Sequence, residues 1–188
     1  MFGNLMNNML IKKAIKEGRI DMTPPLNDEQ LQIAQYRLTP SAIMYWIKGE
    51  SKMKTHDLVS DGPYTFQPSE YAIVIVKERI VLKEESGVVG RFIPASGLIE
   101  AGFGITVGKL DPGYGEDGSP IVFGLKNLQD HENEYRVDTA LAHIEFFDIS
   151  LLPVVPLHLK TYDKDFWLQR VEYLEEYVKD MKRMIPKK

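Results

Sequence analysis

The chain has 188 residues, 44% of them hydrophobic, enough for one domain with its own core and a terminal appendage but not for a second full domain. Its formal net charge of -4, with 23 Lys and Arg scattered among 27 Asp and Glu, excludes the basic footprint of a nucleic-acid binder. The lack of cysteine excludes a disulfide framework and thiolate metal sites. No apolar run approaches the roughly 20 residues of a membrane span.

Residues Leu5 to Gly18 place Leu5, Met6, Met9, Leu10, Ala14 and Ile15 on one stripe and end on a glycine, the pattern of a short helix. The segment RIDMTPPLNDEQLQ contains a Pro pair and reads as a loop leading to a strand. From Ala34 to Lys160 the texture becomes short extended runs: SAIMYWI, YAIVIVKERIVL, GVVGRFI, GITVGKL, PIVFGLKN, TALAHIEFFDI and PVVPLHL. These are rich in Val, Ile, Tyr and Phe, and turns such as Asp61-Gly62-Pro63 and Asp117-Gly118 separate them. Many short strands at such spacing predict a mostly β sandwich or barrel.

The last segment changes period. Trp167, Val171, Leu174, Val178, Met181 and Ile185 recur in steps of four and three, an apolar helical seam with Asp163 placed to cap its start. A domain over residues 1–160 followed by a helix over 161–188 is expected. The helix either lies on its own domain or bundles with copies of itself.

Generic catalytic signatures are missing. His56, His131, His143 and His158 show no metal-ligand spacing, so no metal site is expected. There is no phosphate-cradling loop, nucleophile elbow or dinucleotide fingerprint. GYGEDG has glycines at suggestive spacing, but no helix follows to receive a phosphate, and a wide turn is the better reading. The opening MFGNLMNNMLIKK lacks the charged lead and cleavage site of a signal peptide, and no Asn-x-Ser/Thr acceptor occurs, so the protein is expected not to be secreted.

IKKAIKEGRIDMTPP, FQPSEYAIVIVKERIVLKEESGVVGRF, ASGLIEAGF, KLDPGYGEDG and LAHIEFF follow one another in an order that resembles the dCTP deaminase and trimeric dUTPase superfamily. The resemblance runs from about Leu10 to Leu152. It implies a distorted β-barrel or jelly roll that assembles as a homotrimer, with nucleotide sites shared between subunits and Mg²⁺ present only with a bound nucleotide.

The family's phosphate motif, Gly-Arg-Ser-Ser-Leu-Ala-Arg-x-Gly, corresponds here to Pro94, Ala95, Ser96, Gly97, Leu98, Ile99, Glu100, Ala101 and Gly102. Ala95 and Glu100 stand where the family has arginines, and an acid repels a triphosphate that an arginine fork would grip. KLDPGYGEDG keeps more: Asp111 matches the aspartate that orients the attacking water in family dUTPases, and Tyr114 matches the following aromatic. Asp111 is thus the candidate catalytic residue, although Asp before Pro-Gly is equally an ordinary turn starter. Ser96, Gly97, Gly102, Lys109, Tyr114 and Arg91 are the candidate nucleotide-binding residues.

The family deaminases' glutamate corresponds to Gly124, which cannot shuttle a proton; Glu116 and Asp117 are the nearest acids in sequence. The fourth motif appears as Leu141, Ala142, His143 and Ile144. Two readings follow. In the first, the chain is a non-catalytic homotrimer, cytoplasmic or virion-borne, serving as a structural or interaction module such as a viral particle component or regulatory trimer. In the second it is a divergent Mg²⁺-dependent dUTP or dCTP hydrolase, or a dCTP deaminase, using Asp111.

Overall fold

The structure, a computed structural model, describes residues 4–47 and 53–150. The expected C-terminal helix with its seam from Trp167 to Ile185, the PVVPLHL run and His158 lie outside the described residues.

Helix α1 (Asn8–Lys16) starts where the Asn7 side chain accepts a hydrogen bond from the Leu10 amide at 3.0 Å. It closes ahead of Gly18, whose φ of +69° suits the left-handed position after a helix. The helix is shorter than the apolar spacing predicts. Leu5 and Met6 run beside the last strand instead, with the Met6 amide donating to the Phe146 carbonyl at 2.8 Å. The buried stripe is accordingly Met6, Ile11 and Ala14, while Met9 and Leu10 are exposed.

The predicted loop after α1 contains a strand, β1 (Ile20–Thr23). Ile20 and Met22 are buried, and β1 pairs antiparallel with β7 (Arg79–Leu82) in the register Ile20 to Leu82. Four residues are too few to show a period before the Pro pair interrupts it.

Two larger antiparallel sheets make up most of the domain. The four-stranded sheet has the order β10 (Lys109–Leu110), β8 (Val88–Pro94), β13 (Ala142–Asp148), β2 (Tyr36–Leu38). The five-stranded sheet has the order β4 (Met53–Asp57), β3 (Pro40–Trp46), β6 (Tyr71–Val76), β11 (Val122–Asn127), β9 (Phe103–Thr106). A further pair joins β12 (Asn133–Tyr135) to β5 (Tyr64–Phe66). Helix α2 (Ser96–Glu100) follows β8.

The strands of β6 and β13 alternate buried and less buried residues, so one side of each sheet faces the interior. Phe92 of β8 meets Phe123 of β11 edge-to-face at 4.8 Å, which joins the two sheets through one core. At one end Phe103 packs edge-to-face on Phe66 at 5.2 Å and on Tyr135 at 5.3 Å. The fold is mostly β and jelly-roll-like, as expected, with two open sheets rather than a closed barrel among the described residues.

Arg19 ties the end of α1 to the end of β13. Its guanidinium forms a two-pronged contact with Asp148, both arms 2.9 Å, and its Nε donates to the Ser86 carbonyl at 2.8 Å. Glu78 is buried and accepts from the Thr39 amide (2.9 Å), the Thr39 hydroxyl (2.8 Å) and the Gln30 amide nitrogen (3.2 Å). That set of donors satisfies a carboxylate whose burial would otherwise be costly.

Candidate functional site

The segment after β8 keeps a stable backbone. The Ala95 amide donates to the Leu141 carbonyl at 3.2 Å, and Leu98 of α2 is fully buried. Gly102 has a φ of +77°, and the Gln129 side chain fills the space a Cβ there would need. The Leu128 amide closes on the Gly102 carbonyl at 2.9 Å. Ser96, Glu100 and Ile99 are exposed on this short helix. An exposed Glu100 and a buried Ala95 methyl therefore stand where the resemblance places two phosphate-gripping arginines.

The Asp111 turn is held by main-chain bonds. The Tyr114 amide donates to the Asp111 carbonyl at 3.0 Å, the Gly113 amide to the Leu82 carbonyl at 2.6 Å, and the Leu82 amide to the Tyr114 carbonyl at 3.0 Å. The Asp111 carboxylate points elsewhere, to Lys109 Nζ at 2.7 Å, and both side chains are exposed. Its side chain is thus not the device that starts the turn. Tyr114 is half-buried, its hydroxyl donates to the Pro120 carbonyl at 3.0 Å, and burial pushes its pKa up.

Cross-strand register brings Lys109 opposite Arg91 and Arg91 opposite Glu145. Arg91 donates to Glu145 Oε2 from Nε (3.1 Å) and Nη2 (2.6 Å), and its guanidinium lies 5.0 Å from the centre of the Phe147 ring. The Glu145 side chain is only 13% exposed, so Arg91 is committed to a carboxylate that is largely out of water. Lys109, Arg91 and Asp111 are thus neighbours at one edge of the four-stranded sheet, each with a partner of opposite charge. Ser96, Gly97 and Gly102 belong to the α2 segment, which is anchored instead through Leu141, Leu128 and Gln129.

Gly124 lies in the middle of β11, opposite Ile73 of β6 and Thr106 of β9. A Cβ built there would meet the Tyr71 hydroxyl, with Thr106 Oγ1 at 2.5 Å and Tyr71 Cζ at 2.6 Å. The Gly124 amide donates to Thr106 Oγ1 at 3.0 Å. Tyr71 in turn stacks on Trp46, ring centres 6.4 Å apart and 20° from parallel. The space an acid side chain at this position would enter is filled by a phenol and a hydroxyl. Of the nearby acids, Glu116 accepts from the Glu84 amide at 3.2 Å, and Asp117 is held below the usual carboxylate range by bonds from the Ser119 hydroxyl and amide.

Tyr71, Thr106, Trp46 and Glu145 are the residues of this region that sequence reasoning missed. Their roles depend on cross-strand register, for which no short motif exists. His56 contacts the Gly62 carbonyl and His131 contacts Asp130, while His143 is kept below the usual imidazole pKa by burial and then by Arg37. Among the described residues no group of three or more His, Cys, Asp or Glu is placed to hold a metal ion. Among the described residues no helix is long and apolar enough to cross a membrane.

No curated protein matches the chain. Among solved structures, the chain is similar to 2'-deoxycytidine 5'-triphosphate deaminase from Agrobacterium tumefaciens, at 14% identity and a TM-score of 0.59. That match covers 78% of this chain and 48% of the deaminase, so the chain spans about half the length of that relative. It is also similar to the dUTPase of phage phi11 of S. aureus (16% identity, TM-score 0.44, 69% of this chain and 90% of that one). An EIAV dUTPase is matched at 14% identity and a TM-score of 0.38, over 59% of this chain and 88% of that one. The family model described as dCTP deaminase-like matches residues 5–149, most of the chain and every strand of the two larger sheets, and the protein belongs to the dCTP deaminase-like family.

Proposed function

We propose that this chain is a non-catalytic member of its family, a self-associating homotrimer used as a structural or interaction module. The observation that carries the reading is Gly124: a group able to move a proton is missing there, and Tyr71 and Thr106 fill the space beside it. The electrostatics agree. A triphosphate carries close to four negative charges, each charge-assisted hydrogen bond is worth about 1.5–3 kcal/mol, and Ala95 and Glu100 supply none. Arg91 and Lys109, the cations among the candidate nucleotide-binding residues, are engaged by Glu145 and Asp111. A viral particle component and a regulatory trimer both fit a module of this kind.

The test is turnover of dUTP and dCTP with Mg²⁺, together with thermal stabilisation by a non-hydrolysable dUTP analogue. Neither turnover nor a shift in Tm is expected at millimolar nucleotide. A second reading, a divergent Mg²⁺-dependent nucleotide hydrolase, draws on the exposed Asp111 carboxylate, which the turn does not need. Turnover that disappears in Asp111→Asn would establish it and overturn the first.

A further inference from the structure

An edge strand leaves a row of main-chain groups without partners, and those groups pair with any extended chain that arrives unless something covers them. β2 is such a strand, last in the order of its sheet. At Arg37 both main-chain groups are taken by one residue outside the sheet. The Arg37 amide donates to the Gln30 carbonyl at 3.0 Å, and the Gln30 side-chain amide donates to the Arg37 carbonyl at 2.9 Å. A neighbouring antiparallel strand would make the same two bonds with main-chain groups alone; here a side chain stands in for one of them. The segment around Gln30 runs antiparallel to β2, with Leu31 bridged to Tyr36 and the Gln32 amide donating to the Gln35 carbonyl at 2.8 Å. It is a strap along the edge rather than a further strand.

Gln30 also fastens the strap. Its amide nitrogen reaches the Thr39 hydroxyl at 2.8 Å and Glu78 at 3.2 Å, and its side-chain oxygen accepts from the buried Tyr36 hydroxyl at 3.1 Å. Glu78 is 1% exposed, and a buried carboxylate depends on its donors. Two of these, the Thr39 amide and hydroxyl, belong to the residue that joins β2 to β3. The donor from the strap makes the longest of the three bonds. Release of the strap therefore leaves Glu78 with both Thr39 bonds, and the junction between the two sheets stays pinned. The other side-chain tie of the strap, Lys12 to Asp28 at 2.7 Å, is exposed and contributes little.

We infer that residues 27–32 form an autoinhibitory strap: they occupy the edge of β2 on which an extended polypeptide segment would otherwise pair, and Gln30 with Glu78 is its latch. An incoming extended segment offers the Arg37 carbonyl a main-chain donor where the strap offers a side chain, so the partner is a peptide bound by strand addition. The inference rests on the interaction-module part of the proposed function and adds the edge that is used and the segment that guards it.

The test is amide hydrogen exchange on the full-length chain, followed residue by residue. Two variants release the strap: Gln30→Ala removes the clamp, and Gln30→Glu keeps its size while setting a second carboxylate against Glu78. In both, the Arg37 amide should exchange about tenfold faster or more, while the amides of β8 and β13 keep their wild-type rates. The probe for the freed edge is a capped synthetic peptide of the strap itself, NDEQLQI, residues 27–33. A short tether holds a segment at an effective concentration of about millimolar, so peptide at that concentration should slow Arg37 exchange again in Gln30→Ala and leave the wild type unchanged. Arg37 exchange that stays slow in both variants overturns the inference. So does faster exchange throughout β8 and β13, which would make Gln30 a support of the core. Rapid Arg37 exchange that the peptide fails to slow overturns the edge as a pairing site. The nucleotide turnover assay decides the non-catalytic reading separately.

Discussion

Tyr71 stands over Gly124: the phenol hydroxyl occupies the position in which any side chain at residue 124 would begin. The contact is made by the far end of a flexible side chain, so it is a steric gate and not a rigid wall. Gly124→Ala should lower stability by about 1–2 kcal/mol. The loss should shrink in a Tyr71→Ala background, which urea unfolding in a double-mutant cycle would measure. Equal losses in both backgrounds would show that Tyr71 does not close the site.

The Arg19–Asp148 contact predicts a dependence on pH with a definite sign. Arg19 above all, aided by Ser150, holds the Asp148 carboxyl well below the usual carboxylate range. A depressed folded pKa contributes stability above the unfolded value of about 3.9, and that contribution is lost as pH falls below it. Because the Asp148 side chain is 33% exposed, solvent screening limits the effect to about 1–2 kcal/mol at neutral pH. Asp148→Asn should unfold earlier in urea at pH 7, and its difference from wild type should close from about pH 4 downward.

Tyr135 is buried, and its hydroxyl makes no hydrogen bond among the described residues. Burial pushes the phenol pKa up, in keeping with a group cut off from water. Tyr135→Phe keeps the ring packed against Phe66 and Phe103 and removes the unpaired hydroxyl. A gain of about 1 kcal/mol is expected by thermal or urea unfolding; a loss of similar size would reveal a partner for the hydroxyl.

Asp111→Asn should leave stability within about 0.5 kcal/mol of wild type, since an exposed ion pair with Lys109 contributes little and the turn depends on main-chain bonds. A large loss would assign the Asp111 side chain to the fold.

His143 should titrate below the ordinary imidazole value of about 6.5 when followed by NMR, because burial disfavours the cation and Arg37 adds to it. Arg37→Gln should move the midpoint upward, only part of the way. A midpoint at or above the ordinary value in the wild type would contradict the packing of β13 against β2.

How much of this was legible in the sequence varies by element. β6, β8, β11 and β13 announce themselves because six or seven residues suffice to show β-rich composition and alternation. β5 and β12, three residues each, and β1 before its Pro pair do not, since so short a segment becomes a strand only when a partner supplies its hydrogen bonds. The helix at α1 was legible and its face was not: Asn7 caps it later than the apolar spacing implies, which turns Met9 and Leu10 to solvent and Ile11 inward.

The sequence by itself determined the class of fold and the family, because those follow from residue identity in an ordered set of motifs. Only the tertiary structure decided that Tyr71 and Thr106 fill the space at Gly124 and that Glu145 engages Arg91. Each depends on register between strands distant in sequence, and a shift of one residue would have sent every one of those side chains to the opposite face.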